Sequence, residues 1–142
     1  MKITIVEQAF DPWLLLSQHE VAAATGAWGA TASFVGTMRD FNEDHSVRGL
    51  FLEHYPGMTE KYLLRIAEEA VTKWNLVDAL IVHRVGEITS GDAIVLVATW
   101  SAHRAEAFDA CRYLIDELKH RAPFWKKETL NDGQTKWVEK NT

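Results

Sequence analysis

The stretch from Ser101 to Lys127 constrains the chain more than any other. From Ala102 to about Arg121 its apolar and charged residues separate at helical spacing. At 100° per residue from Ala102, Ala107, Phe108, Cys111, Leu114, Ile115 and Leu118 occupy an arc of about 120° to 240°. Glu106, Asp109, Arg112, Asp116, Glu117 and His120 fall on the opposite arc, as a solvated face requires. Such a helix has one face that other elements must cover. Two basic residues break the pattern. Arg104 falls at about 200° and Lys119 at about 260°, on or beside the apolar face. Two readings are open. Both side chains snorkel to solvent, or they line an anion pocket cut into the edge of the core.

The remaining sequence has to supply the cover. With 142 residues, 47% of them hydrophobic and 25% charged, it suits one soluble domain over residues 1–142 with a sizeable core. A net charge of −5 argues against a nucleic-acid binder held by its overall field, so a local basic cluster points to a small anionic ligand. Cys111 stands alone, which excludes an intramolecular disulfide and a multi-cysteine metal site. Met1 to Val6 is too short and too regularly alternating for an export signal. No apolar run approaches the roughly twenty residues that span a bilayer, so a cytoplasmic protein is expected.

Lys2 to Val6 reads as a strand by β-branched alternation. Asp11-Pro12 supplies a helix cap followed by proline at the first position, and a helix from Trp13 to Ala24 follows, ending near Gly26. Ala30 to Thr37 alternates as a strand. Met38 to His45 is polar and turn-rich, which places it in an exposed loop. Val47 to Tyr55 returns as a strand and is expected to form a hairpin with the strand before it. Pro56-Gly57-Met58-Thr59 opens a second helix to about Trp74. Ala79 to Val85 and Ala93 to Trp100 are further strands, with turns at Gly86 and Gly91-Asp92. Beyond the third helix, Trp125 to Thr129 and Thr135 to Val138 pair around Asn131-Asp132-Gly133. The order β-α-β-β-α-β-β-α-β-β predicts an α+β fold with helices packed on a mixed, largely antiparallel sheet.

Histidines 19, 45, 54, 83, 103 and 120 show no HxxxH or HExxH spacing, so no metal site is expected. Cys111 sits between Phe108 and Ile115 on the apolar face and reads as a core residue rather than a nucleophile. GxSxG, GxGxxG and Walker-type loops are absent. The basic residues are more informative. Gly36-Thr37-Met38-Arg39 ends a strand, where backbone N–H groups and an Arg fork suit phosphate. Ser101-Ala102-His103-Arg104 lies at a helix N-terminus, which favours anions. Lys119, Lys126 and Lys127 bring ammonium groups near Phe124-Trp125, and lysine beside apolar surface loses hydration, lowering its pKa. Arg104 and Lys119 are about 22 Å apart along one straight helix. Either they serve different sites, or one site takes Arg104 from one subunit and Lys119 from another across a symmetric homodimer.

Five ordered motifs carry a family resemblance: Phe34-Val35-Gly36-Thr37-Met38-Arg39, Leu52-Glu53-His54-Tyr55-Pro56-Gly57-Met58, His83-Arg84-Val85-Gly86-Glu87, Ser101-Ala102-His103-Arg104 and Lys119-His120-Arg121-Ala122-Pro123-Phe124-Trp125-Lys126-Lys127-Glu128. From about Phe34 to Val138 the chain resembles the large, catalytic subunit of molybdopterin synthase. The resemblance implies an α/β-hammerhead fold with a small antiparallel subdomain, and a homodimer at the centre of a heterotetramer. A small ubiquitin-like sulfur carrier would dock at each end. Its C-terminal Gly-Gly thiocarboxylate would give sulfur to cyclic pyranopterin monophosphate, forming the molybdopterin dithiolene. No cofactor or metal is implied, because molybdenum is inserted later by other proteins. The resemblance assigns catalysis to Lys119 and Lys126. It assigns substrate contacts to Thr37, Met38, Arg39, His103, Arg104, Lys127 and Glu128, with Phe34 in the pocket wall. Relatives with Arg at position 127 would keep its charge but add a bidentate fork. Two other readings compete: an adaptor that binds a ubiquitin-like tail without turnover, and an RNA-binding module built on Phe124-Trp125-Lys126-Lys127. The acidic net charge weighs against the second.

Overall fold

The computed structural model describes residues 1–23, 26–42 and 45–138. The expected helix end at Ala24 and the loop positions Glu43 and Asp44 lie outside them. In chain order the elements are β1 (Lys2–Val6), α1 (Pro12–Ala22), β2 (Ala30–Thr37), β3 (Phe41–Asn42), β4 (His45–His54), α2 (Met58–Trp74), β5 (Asp78–Arg84), β6 (Gly86–Thr89), β7 (Ala93–Ser101), α3 (Arg104–His120), β8 (Phe124–Leu130) and β9 (Thr135–Trp137). The class is α+β, as expected.

Two sheets organise these elements. The first runs β1-β5-β7-β2, parallel between β1 and β5 and antiparallel elsewhere. Its central strands are apolar on both faces, the pattern of a sheet covered twice. Ala79, Ile81, Val95 and Val97 face a core shared with Leu63, Ile66 and Ala70 of α2 and Ala107, Leu114 and Leu118 of α3. Leu80, Val82, Leu96, Ala98 and Trp100 face the other way, under Leu15 and Leu16 of α1. The Asp11 carboxylate caps α1 by accepting from the N–H groups of Trp13 and Leu14 at 3.0 and 3.2 Å.

The second sheet runs β3-β4-β8-β9, with β6 also on β4, and all its pairs are antiparallel. Leu50 and Leu52 of β4 and Ile88 of β6 enter the same core as α2 and α3, so the two sheets share one interior. The β8–β9 hairpin forms as predicted.

The expected hairpin between Ala30–Thr37 and Val47–Tyr55 does not form. β2 pairs with β7, and β4 pairs with β6 and β8. The reason lies at the exit of β2. Met38 N–H donates to Asp92 O, and Gly91 N–H donates to Met38 O, both at 2.9 Å. These bonds hold the exit against the β6–β7 turn and send the chain into the other sheet. Between the turns expected at Gly86 and at Gly91-Asp92 the chain forms β6, ordered by a compact clamp. Arg84 donates to Asp92 Oδ2 at 2.9 Å and to Glu87 O at 2.8 Å, while the Thr89 N–H and hydroxyl donate to the same carboxylate. The Thr89 hydroxyl first, then the Thr89 N–H and Arg84, hold the Asp92 carboxyl below the usual range.

Candidate active site

The site forms where α3 ends and β8 begins. Pro123 closes the connection, its carbonyl accepting from the Thr59 hydroxyl at 3.3 Å. The same hydroxyl oxygen accepts from Tyr55 N–H at 3.0 Å, so the start of α2 and the start of β8 are tied through one buried side chain. From there β8 runs antiparallel to β4, with Phe124 opposite His54, Lys126 opposite Leu52 and Glu128 opposite Leu50. Strand alternation turns Phe124, Lys126 and Glu128 to the inner face. Glu128 is 5% exposed.

Lys119, on the last turn of α3, meets Lys126 there, and the two side chains share a hydrogen bond. Burial, then the Lys126 charge and that bond, push the Lys119 pKa down to about 8. Burial also lowers Lys126, but the Glu128 charge and the bond to Lys119 oppose it, while Arg39 pushes it further down. An amine–amine hydrogen bond requires one partner to have lost its proton. Lys119, with its pKa near 8, gives the proton up more readily, while the Glu128 charge favours the proton on Lys126. The pair therefore combines a poised amine with a proton donor, the complement that nucleophilic and acid catalysis need.

His83 forms the floor. It closes β5 on the core-facing side, is 2% exposed, and stacks on Phe124 with ring centroids 4.0 Å apart and planes 15° from parallel. Burial, reinforced by the charges of Lys119, Lys126 and His54, lowers its pKa to about 3. Sequence reasoning quoted His83 within a motif but gave it no role. The available signal was a histidine at an inward position of the otherwise apolar run Ala79 to Val82.

The predicted residues do not all gather. Lys119, Lys126, Glu128 and Arg39 form one electrostatic cluster. Met38 is buried in the core, and both its backbone polar groups are committed to the β6–β7 turn, so the expected phosphate nest of free N–H groups does not exist at that position. Thr37 is exposed beside Trp13, Gly91 and Ala93 in a separate surface hollow. Phe34 is 39% exposed and lines a shallow groove with Phe108, Cys111 and Ile115. Phe108, expected on the covered face of α3, is 66% exposed, because β2 is the edge strand and this flank of α3 overhangs it. Cys111 is a core residue whose thiol burial pushes up to about 11.

His103 and Arg104 sit at the far end of α3, about 22 Å from Lys119. Their turn is held by the Ser101 hydroxyl, which donates to His103 O, and by Gly29, whose N–H donates to Ser101 O at 2.9 Å. A Cβ on Gly29 would lie 2.4 Å from Ala102 O, so only glycine fits there. Lys127 points to the opposite face of β8 from Lys126. There it lies between Phe51 and Trp137 across the strands, its Nζ 5.8 Å from the Trp137 ring centroid.

Comparison with known proteins gives a consistent result. The family described as "MoaE protein" matches residues 7–121. The molybdopterin synthase catalytic subunit of Pseudomonas aeruginosa is 50% identical over 139 residues, covering 98% of this chain and 91% of that one. Among solved structures, a molybdopterin biosynthesis MoaE protein from Burkholderia ambifaria superposes with a TM-score of 0.81 at 45% identity, covering 99% of this chain and 90% of the other. Molybdopterin synthase from Staphylococcus aureus superposes with a TM-score of 0.83 at 33% identity, covering 94% of each chain.

Proposed function

The chain belongs to the MoaE protein family, and on that premise we propose that it is the catalytic subunit of a molybdopterin synthase. It takes sulfur from the thiocarboxylated C-terminus of a small ubiquitin-like carrier and transfers it to cyclic pyranopterin monophosphate, yielding the dithiolene of molybdopterin. The observation that carries this reading is the Lys119–Lys126 pair, one amine lowered by burial to a pKa of about 8 and the other lowered by burial against the opposing charge of Glu128.

Both reactants are anionic, so their encounter needs positive charge that stays in place as the acyl–sulfur bond breaks. Lys119 stabilises or transiently captures the terminal acyl group of the carrier. Lys126 delivers the proton that the pterin needs as its bonds rearrange. Arg39 stands next to Lys126 to meet the phosphate. A tail-binding adaptor without turnover would have no use for a lysine kept near neutrality at the cost of burial.

The remaining anion-binding residues, His103 and Arg104, reach the lysine pair only from a second copy. Arg104, Phe108, Ile115 and Lys119 lie along one flank of α3, spaced symmetrically about Cys111 and Arg112. An antiparallel pairing of two such flanks brings Arg104 to the partner subunit's Lys119 and buries Phe108, giving two composite pockets in a homodimer. The carrier subunits complete a heterotetramer. Residues 1–142 act as one domain, and the protein works in the cytoplasm. Among the described residues, no helix is long and apolar enough to cross a membrane.

The test is incubation with thiocarboxylated carrier and cyclic pyranopterin monophosphate, followed by detection of the dithiolene. Product is expected, and Lys119→Ala is expected to abolish it. Carrier binding without product would establish the adaptor instead.

A further inference from the structure

Lys119 and Lys126 stand on different elements, so their relation depends on how α3 is joined to β8. The join runs from Arg121 to Pro123, and Pro123 has no N–H to give. In the register of β4 with β8, His54 faces Phe124, so the next pair is Tyr55 with Pro123. Val138 N–H donates to Lys126 O, which turns that carbonyl towards β9. By alternation the Pro123 carbonyl faces β4 instead. A regular ladder would close here with Tyr55 N–H donating straight to Pro123 O. It does not. The Thr59 hydroxyl stands between them, accepting from Tyr55 N–H at 3.0 Å and donating to Pro123 O at 3.3 Å. Thr59 is fully buried, and its own N–H donates back to Tyr55 O at 2.9 Å. The hydroxyl is thereby held from two sides, and the strand ends stand one oxygen apart.

The same helix holds the other arm of the join. Tyr62, three residues beyond Thr59, donates through its hydroxyl to Glu117 Oε2 at 3.1 Å, and Arg121 donates to that oxygen at 2.9 Å. Residues three apart share a helix face. One face of α2 therefore grips both the last turn of α3, which carries Lys119, and the entry of β8, which leads to Lys126. With valine at position 59, the Tyr55 N–H and Pro123 O would lose their partner or close on each other. Either way the start of β8 moves.

We propose that Thr59 is a positioning residue for the reaction, its hydroxyl setting the entry of β8 and with it the place of Lys126 against Lys119. The assignment rests on the proposed role of the lysine pair. Its first readout is the Lys119 amine itself, which needs no substrate.

Two comparisons isolate the hydroxyl. Thr59→Val keeps the branched shape without it, and Thr59→Ser keeps it where Thr59→Ala does not. Lys119 is titrated in each chain by NMR of side-chain-labelled lysine. The two amines are already in contact, so any displacement separates them and weakens the part of the lowering that Lys126 causes. A movement of about 1 Å between like charges at such range corresponds to about half a pH unit. The Lys119 midpoint is expected to rise by that amount in Thr59→Val and Thr59→Ala and to stay near about 8 in Thr59→Ser. In single-turnover sulfur transfer at saturating carrier, the first two are expected to be about tenfold slower with carrier affinity unchanged, and Thr59→Ser to keep within about twofold of the parent. A parental midpoint in Thr59→Val, or equal midpoints in Thr59→Ser and Thr59→Ala, overturns the proposal whatever stability is lost. A parent protein that forms no dithiolene refutes the catalytic reading and leaves the midpoint comparison intact. The unaltered protein supplies a check that needs no variant to fold. Its Thr59 hydroxyl proton is expected to exchange slowly enough to be seen by NMR beside the Tyr55 amide, and a hydroxyl exchanging freely with water overturns the assignment.

Discussion

Replacing Lys119 by methionine should make the protein more stable and inactive at once. Methionine keeps the unbranched stem and removes the charge. In the folded chain the Lys119 pKa falls from an ordinary 10.5 to about 8, chiefly through burial and then through Lys126. At about 1.4 kcal/mol per pH unit, this corresponds to an upper bound of about 3 kcal/mol spent on holding the ammonium in the fold at neutral pH. Lys119 is only partly shielded from solvent, so the recoverable part is about 1–2 kcal/mol. The sign follows from proton counting. Between about pH 8 and 10.5 the unfolded chain binds more protons at this position than the folded one, so stability rises with pH across that window. Below it the penalty is constant and at its largest. Urea unfolding at pH 7 and pH 10 measures both parts. Lys119→Met is expected to exceed the parent protein by about 1–2 kcal/mol at pH 7, with the difference shrinking towards pH 10. A variant less stable than the parent at pH 7, or a difference independent of pH, would refute the view that the fold bears a cost to keep this amine poised.

Three further outcomes test other parts of the structure. Gly29→Ala forces a Cβ to within 2.4 Å of Ala102 O, and thermal unfolding should show a loss of about 1–3 kcal/mol. Asp92→Ala strips the carboxylate from the largely buried Arg84 and from both Thr89 donors. Denaturant unfolding should record a loss of about 3 kcal/mol, and unchanged stability would mean the clamp does not organise β6. Chains carrying Arg104→Ala or Lys119→Ala should each be inactive alone. Random mixing should restore about a quarter of parental activity, because half the dimers are mixed and each mixed dimer regains one intact composite pocket.

Local signals made some elements easy to read. β1 and β2 have the bounds their alternation implies, and the Asp11 cap is where the Asp-Pro pair puts it. Lys119 stood out as a cation on the wrong side of a helix, and its lowered pKa follows from that position. Pairing choices were less visible. The partner of β2 depends on bonds from Met38 to Gly91 and Asp92, whose positions only the folded chain brings close. β6 has four residues and a single buried side chain, Ile88, too little for periodicity to register. The free N–H groups expected at Met38 are absent, since a strand-end N–H looks free only until its distant acceptor is known. His83 escaped for a similar reason, since nothing in an apolar strand announces that the charges of two lysines from later elements act on it.

The alternation of β8 has a consequence for how the Lys126-Lys127-Glu128 run responds to its surroundings. Lys126 and Glu128 face the interior, whereas Lys127 lies among Phe51 and Trp137 on the outer face. Mobile ions shield exposed charge over about 8–10 Å at ordinary ionic strength but reach buried pairs poorly. Ionic strength therefore acts as a selective probe of this strand. Salt should silence whatever Lys127 contributes at the outer face and leave the balance between Lys126 and Glu128 nearly untouched. Two adjacent lysines of the same composition thus belong to different electrical environments, and changes at one can accumulate without disturbing the other.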